Sequence, residues 1–192
     1  AIQTAFRSEQ PTQIGEFMVE KVVDWLDRTP IVSETDRVSK NALVFHFKPV
    51  PGTISMRITV RPSGTEPKIK MYFEIGSLPM AQSELAGTKQ AMTELREKLE
   101  KAFMLHCYKA IGVEFPERGF LLFWQLPLRD KLQYFEIEPK IEALKQVADQ
   151  AKRQQQLNKL LAFLGSDPIM KVDKAFQAKY RQSITEYLQL TA

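Results

Sequence analysis

Between two stretches of alternating apolar residues lies the run Arg61-Pro62-Ser63-Gly64-Thr65-Glu66-Pro67-Lys68-Ile69-Lys70, whose residue types suit the capture of an anion. Gly64 can adopt a positive φ, Pro62 and Pro67 stiffen entry and exit, and Ser63 and Thr65 set hydroxyl donors beside bare backbone N–H groups. Arg61 adds a planar guanidinium whose fork of donors matches two phosphate oxygens. Glu66 has the wrong charge to touch a phosphate, so its expected task is to orient Arg61 or cap the loop. Lys70 shares the face of Arg61 if the flanking strands pair regularly, which makes it a weaker candidate ligand. Lys68 ranks below it, because exposed strand lysines are generally only solvated. Turn chemistry alone leaves a second reading open, a hairpin in which Pro, Ser and Gly serve geometry.

Other reactive side chains are sparse. His46 and His106 have no carboxylate partner in register, and His106 next to Cys107 lacks a workable ligand spacing on a helix, so neither histidine is assigned to chemistry. Cys107, the only cysteine, excludes an intrachain disulfide, points to a reducing cytoplasm, and reads as a buried structural thiol. Glu94, Glu97 and Glu100 alternate with Lys98 and Lys101 as a solvated helix face does. There is no Asp-x-Asp-x-Asp cluster and no serine beside a histidine, so no catalytic and no metal-binding residue is expected in this chain.

The elements that must position the loop follow from periodicity. Phe17 to Leu26 carries apolar residues at helical spacing but is rich in β-branched residues, and a strand is predicted. Thr29 to Lys40 reads as a polar loop. Leu43, Phe45 and Phe47 alternate with Val44, His46 and Lys48, and Met56, Ile58 and Val60 alternate with Arg57, Thr59 and Arg61, which places Arg61 on the solvated face. Beyond the loop, Ile69, Met71, Phe73 and Ile75 face the core opposite Lys70, Tyr72 and Glu74. A helix from about Gln82 to Ile111, stopped by Gly112, supplies cover through Leu85, Met92, Leu95, Leu99 and Phe103. Ala1 to Arg7 is expected to end a helix of a preceding, missing domain.

The texture changes beyond Val113. Gly119 to Trp124 should pack as an aromatic clasp ended by Pro127. Pro139 is expected to open one helix running through Leu164, and Asp167-Pro168 to cap and start a last helix whose inward face runs from Ile169 to Leu188. The expected division is therefore 1–112 and 113–192, with a fold class of α/β (α+β): a small antiparallel sheet covered by a helix, then an all-helical C-terminal extension. Apolar residues at 44% and charged residues at 26% are ordinary for a globular chain. The net charge of +4 suits an anionic ligand, but its scatter argues against nucleic acid. No apolar run approaches the about 20 residues of a membrane span. The start at Ala1-Ile2-Gln3, without Met, fits a cloned or cleaved fragment.

The string RPSGTEPKIK followed by MYFEI resembles the phosphate-binding loop in the last domain of the α-D-phosphohexomutase superfamily, which includes phosphoglucomutase and phosphomannomutase. Asn41 to Phe47 and Ile54 to Val60 look like that family's two preceding strands, and the likeness runs from about Gly15 to Gly112. The tail GTEPKIK is closer to the long phosphoglucomutase branch than to the glucosamine-phosphate branch. The resemblance implies a terminal domain similar in fold to the TATA-binding protein, without implying DNA binding. It implies that Arg61, Ser63, Gly64 and Thr65 hold the substrate phosphate, with the Gly64 and Thr65 amides among the donors. It further implies three upstream domains with the phosphorylated serine, an aspartate-rich Mg2+ loop and a sugar-recognition loop, so that the metal ligands lie outside this chain and the chain alone is inactive. The partners implied are a hexose phosphate and those upstream domains, in the cytoplasm. The alternatives are a non-catalytic anion-binding module, or an oligomerisation element built on the leucine-rich tail.

Overall fold

Strict alternation of apolar and polar side chains makes the central segments strands, and the structure, a computed structural model, describes residues 1–27, 41–66 and 68–190. Five strands, β1 (Gln13–Ile14), β2 (Phe17–Asp24), β3 (Leu43–Phe47), β4 (Thr53–Pro62) and β5 (Ile69–Ser77), form one antiparallel sheet in sequence order. Helices α1 (Ile2–Ser8) and α2 (Leu85–Ala110) accompany the sheet in the first of two compact units, Ala1–Glu114 and Phe115–Ala192. The second unit contains α3 (Leu128–Ala143), α4 (Gln150–Leu161), α5 (Pro168–Tyr180) and α6 (Ile184–Tyr187). The architecture is therefore α+β, and no helix among the described residues is long and apolar enough to cross a membrane.

In the first unit, Leu43, Phe45 and Phe47 on β3 and Met56, Ile58 and Val60 on β4 are almost fully buried. Leu99, Phe103 and Cys107 close over them from α2 at i, i+4 spacing. Phe103 sits at the centre, with ring centroids 5.3 Å from Phe45 and 5.6 Å from Phe6. β2 is a strand as its β-branched residues predict, but it stops at Asp24 and a short 3-10 turn follows at Trp25–Asp27. Helix α2 ends as Gly112 enters the left-handed region at φ 74°, with the Gly112 and Val113 amides donating back to the Lys109 and Tyr108 carbonyls. The predicted loop from Thr29 to Lys40 lies outside the described residues, and so does Pro67.

Helix α1 corrects the expectation that it belongs to another domain. Its Phe6 is buried in this core, and Arg7 donates to both carboxylate oxygens of Asp24, at 2.6 and 3.0 Å, and to Asn41 Oδ1 at 2.9 Å. The hydrogen bond from Arg7 holds the Asp24 carboxyl below its usual range despite partial burial. The turn joining β1 to β2 is equally constrained: Gly15 has φ 58°, and a Cβ there would lie 2.7 Å from the Ala102 Cβ of α2. Gly15→Ala is expected to destabilise this unit by about 2–5 kcal/mol, combining left-handed strain with overpacking, as measured by chemical denaturation.

Two expectations for the second unit need correction. Pro139 does not open a helix but lies inside α3, where it removes one backbone donor while Tyr134, Glu138 and Ile141 bury the helix's other face. The apolar stripe expected as one helix is two, because the chain becomes extended at Val147 and restarts where the Asp149 carboxylate accepts from the Lys152 amide at 3.1 Å. Asp167 precedes Pro168 at the start of α5 but makes no side-chain cap. The last predicted helix also divides, at Arg181 with φ 61°, before a capping box between Ser183 and Glu186 opens α6.

Candidate functional site

Register places the candidate residues. Arg61 pairs with Lys70, Thr59 with Tyr72 and Arg57 with Glu74 across β4 and β5, so these six side chains share the face opposite the helix-covered core. Ser63 N–H donates to the Lys68 carbonyl at 2.8 Å, which closes the hairpin and leaves residues 64–66 in its tip. The loop's proline at 62 pairs with Ile69, a position where the ladder requires no N–H.

Arg61 is oriented by an aromatic residue, not by Glu66. Its Nη2 donates to the Tyr72 hydroxyl at 3.0 Å, and its guanidinium carbon lies 5.5 Å from the centre of the Tyr72 ring. A guanidinium has five N–H donors, and Arg61 forms no ion pair among the described residues. Glu66 turns instead to Lys68, whose ammonium it pairs with, while its carbonyl accepts from the Lys68 amide at 2.7 Å. Arg57 is likewise occupied, donating twice to Glu74 at 2.7 Å each. That pairing holds the Glu74 carboxyl down and raises Arg57. The cations at this end of the sheet that have no carboxylate partner among the described residues are therefore Arg61 and Lys70.

Loop polar groups divide in the same way. The Ser63 amide is used by the hairpin, whereas the Gly64 and Thr65 amides sit on exposed residues and donate to no described residue. The Ser63 Oγ is shielded from solvent and has no hydrogen-bond partner among the described residues. An orphaned hydroxyl of this kind costs about 1–3 kcal/mol until something accepts its proton or donates to it. Gly64 departs from expectation, because its φ is not in the left-handed region, and a Cβ there would meet nothing within 4 Å. The fold as it stands does not demand glycine at 64; close approach of another group to the loop backbone would.

The remaining titratable groups stay outside this arrangement. Burial, then the charges of Lys21 and Arg57, keep His46 below its ordinary pKa. Burial followed by Lys109 does the same for His106, whose ring stacks on Phe6 at 5.7 Å. Burial pushes the Cys107 thiol up to about 12, which leaves it an inert core group. Among the described residues no three His, Cys, Asp or Glu side chains come together to hold a metal ion.

Tyr72 is the residue that sequence reasoning placed on the right face but gave no task. Hairpin register carried the signal, since a residue two places beyond the partner of Arg61 is its diagonal neighbour on the same face. No family model matches this chain, and neither a curated protein nor a solved structure does.

Proposed function

We propose that residues 1–112 form the terminal, substrate-phosphate-binding domain of an α-D-phosphohexomutase, with a fold similar to the TATA-binding protein. The observation that carries this reading is the combination at one hairpin of a Tyr72-steadied Arg61, without an ion pair among the described residues, and the Gly64 and Thr65 amides, which donate to no described residue. Ser63 Oγ adds a hydroxyl without a partner among the described residues. Together they offer a planar fork, two N–H groups and hydroxyls to one dianionic group. The resemblance of RPSGTEPKIK to the family loop supports the same reading.

A mutase must present either end of a phosphorylated hexose to one reactive serine, so the opposite phosphate needs a fixed grip. The loop supplies that grip. Chemistry would come from upstream domains carrying the phosphoserine and the Mg2+ ligands, and this domain would close on the substrate and exclude water. The sugar's own hydroxyls would be read elsewhere, so the loop treats 1- and 6-phosphates alike.

Isothermal titration with glucose 1-phosphate, glucose 6-phosphate and glucose tests the reading. Both esters are expected to bind at about millimolar affinity, since a few charge-assisted bonds must offset the entropy of association, and glucose is expected to give no signal. Binding of glucose equal to that of its phosphates, or no binding of either ester, would remove the assignment. Affinity should also fall below about pH 6, where the phosphate loses its second charge.

A further inference from the structure

The sheet's two edges are managed differently. At one edge the two-residue β1 covers only Phe17 and Met18 of β2, and the rest of β2 carries a bulge between Val19 and Lys21, a usual way to deny an incoming strand a template. The other is β5, nine residues from Ile69 to Ser77, with no proline. Side chains on its core face are less enclosed than those of the adjacent strand. Met56, Ile58 and Val60 of β4 are 2%, 0% and 0% exposed, whereas their partners Ile75, Phe73 and Met71 are only partly buried. Two grooves of about 590 Å³ each border β5 and share Arg96, one reaching Met80, Leu85 and Met92 and the other Thr59 and Glu100.

The direction of the unpaired backbone groups follows from the hairpin. The hydrogen bond from Ser63 to Lys68 fixes the alternation, so the pairs Arg61–Lys70, Thr59–Tyr72 and Arg57–Glu74 exchange the ladder bonds with β4. The N–H and C=O groups of Ile69, Met71, Phe73 and Ile75 then point away from the sheet. An antiparallel strand can pair with β5 only in registers that match those residues to its own outward-pointing groups.

We propose that the occupant of this edge is β5 of a second copy, joined about a twofold axis at Tyr72. In that register Met71 faces the copy's Phe73 and Ile69 faces its Ile75, so apolar residues meet on the core side. On the open side Lys70 meets the copy's Glu74, and the symmetry makes the same ion pair twice. Lys70 and Glu74 fall at positions that do not exchange ladder bonds across the new seam, where side chains approach most closely. Glu74 keeps acceptor sites for this contact beyond the two that Arg57 uses. The charge pattern Lys-x-Tyr-x-Glu is thus complementary to itself when reversed, and the two sheets become one.

Sedimentation of the whole chain across a concentration series, with charge-swapped variants, tests this. Wild type is expected to dimerise. Lys70→Glu and Glu74→Lys are each expected to weaken the dimer at least tenfold, and the double swap to restore it. Tyr72→Cys places two thiols across the axis and is expected to give a covalent dimer under mild oxidation, while Ile54→Cys, exposed on β4, is not. A wild-type chain that stays monomeric throughout, a double swap no better than either single, or equal cross-linking of the two cysteine variants would each overturn the proposal. The readout is mass, so it stands apart from any effect of Lys70 on phosphate affinity.

Discussion

Replacing Arg61 by alanine is expected to weaken hexose phosphate binding by about one to two orders of magnitude, because a charge-assisted contact contributes about 1.5–3 kcal/mol and 1.4 kcal/mol is a factor of ten. The fold should be unaffected, since among the described residues Arg61 gives up only its contacts with the Tyr72 hydroxyl and ring. Arg61→Lys keeps the charge without the planar fork and should fall between the two. Arg57→Ala is the informative control. Arg57 lies on the same face four residues away, yet Glu74 already neutralises it. Calorimetric titration of the three variants should show Arg57→Ala close to wild type. A loss equal to that of Arg61→Ala would mean that the sheet's general charge, and not this guanidinium, attracts the ligand.

A larger effect on stability is expected in the second unit. Glu138 is 1% exposed and its carboxylate is held by Nη1 and Nη2 of Arg118, by the Tyr134 hydroxyl at 3.1 Å and by Lys179 at 3.3 Å. Arg118 also lies 4.7 Å from the centre of the Phe135 ring. Arg118→Ala would leave a buried carboxylate with too few donors, at a cost of about 3–5 kcal/mol, whereas replacing Arg118 and Glu138 together by Met and Leu should recover most of it. Burial by itself would push the Glu138 carboxyl up, but the bonds and charge of Arg118, aided by Lys179, bring it below its usual range. A group depressed in the folded state stabilises above its unfolded pKa of about 4.3 and loses that contribution as pH falls through the folded value. Chemical denaturation at neutral and acid pH should therefore show the Arg118→Ala deficit shrinking as the solution is acidified.

The sheet was the most legible part of the chain, because strand alternation is a local signal. Phe45 and Ile58 point inward, and Arg57 and Arg61 outward, wherever the strands pair regularly. Helix α2 was legible at both ends for similar reasons, its Gly112 stop being written in one residue. What escaped depends on partners distant in sequence. Nothing in Ile2 to Ser8 announces that Arg7 will meet Asp24, so α1 could not be assigned to this core in advance. Pro139 invited a helix start because an interior proline is costly, and only the burial of Tyr134 and Ile141 on either side shows why it is tolerated. The break before α4 and the start of α6 were visible as Asp149 and as Ser183-x-x-Glu186, capping signals outweighed by an unbroken apolar stripe. At the site, residue types revealed the loop and its donors. They did not reveal that Glu66 would pair with Lys68, or that Tyr72 would hold Arg61, since both depend on the loop's closed geometry.

The most direct test is an amide NMR titration of the chain with glucose 1-phosphate. The account predicts saturable downfield shifts at the Gly64 and Thr65 amides together with the Arg61 Nε, and little change along α2 or in residues beyond 114. Shifts that leave those three groups unmoved, or that cluster elsewhere, would contradict it.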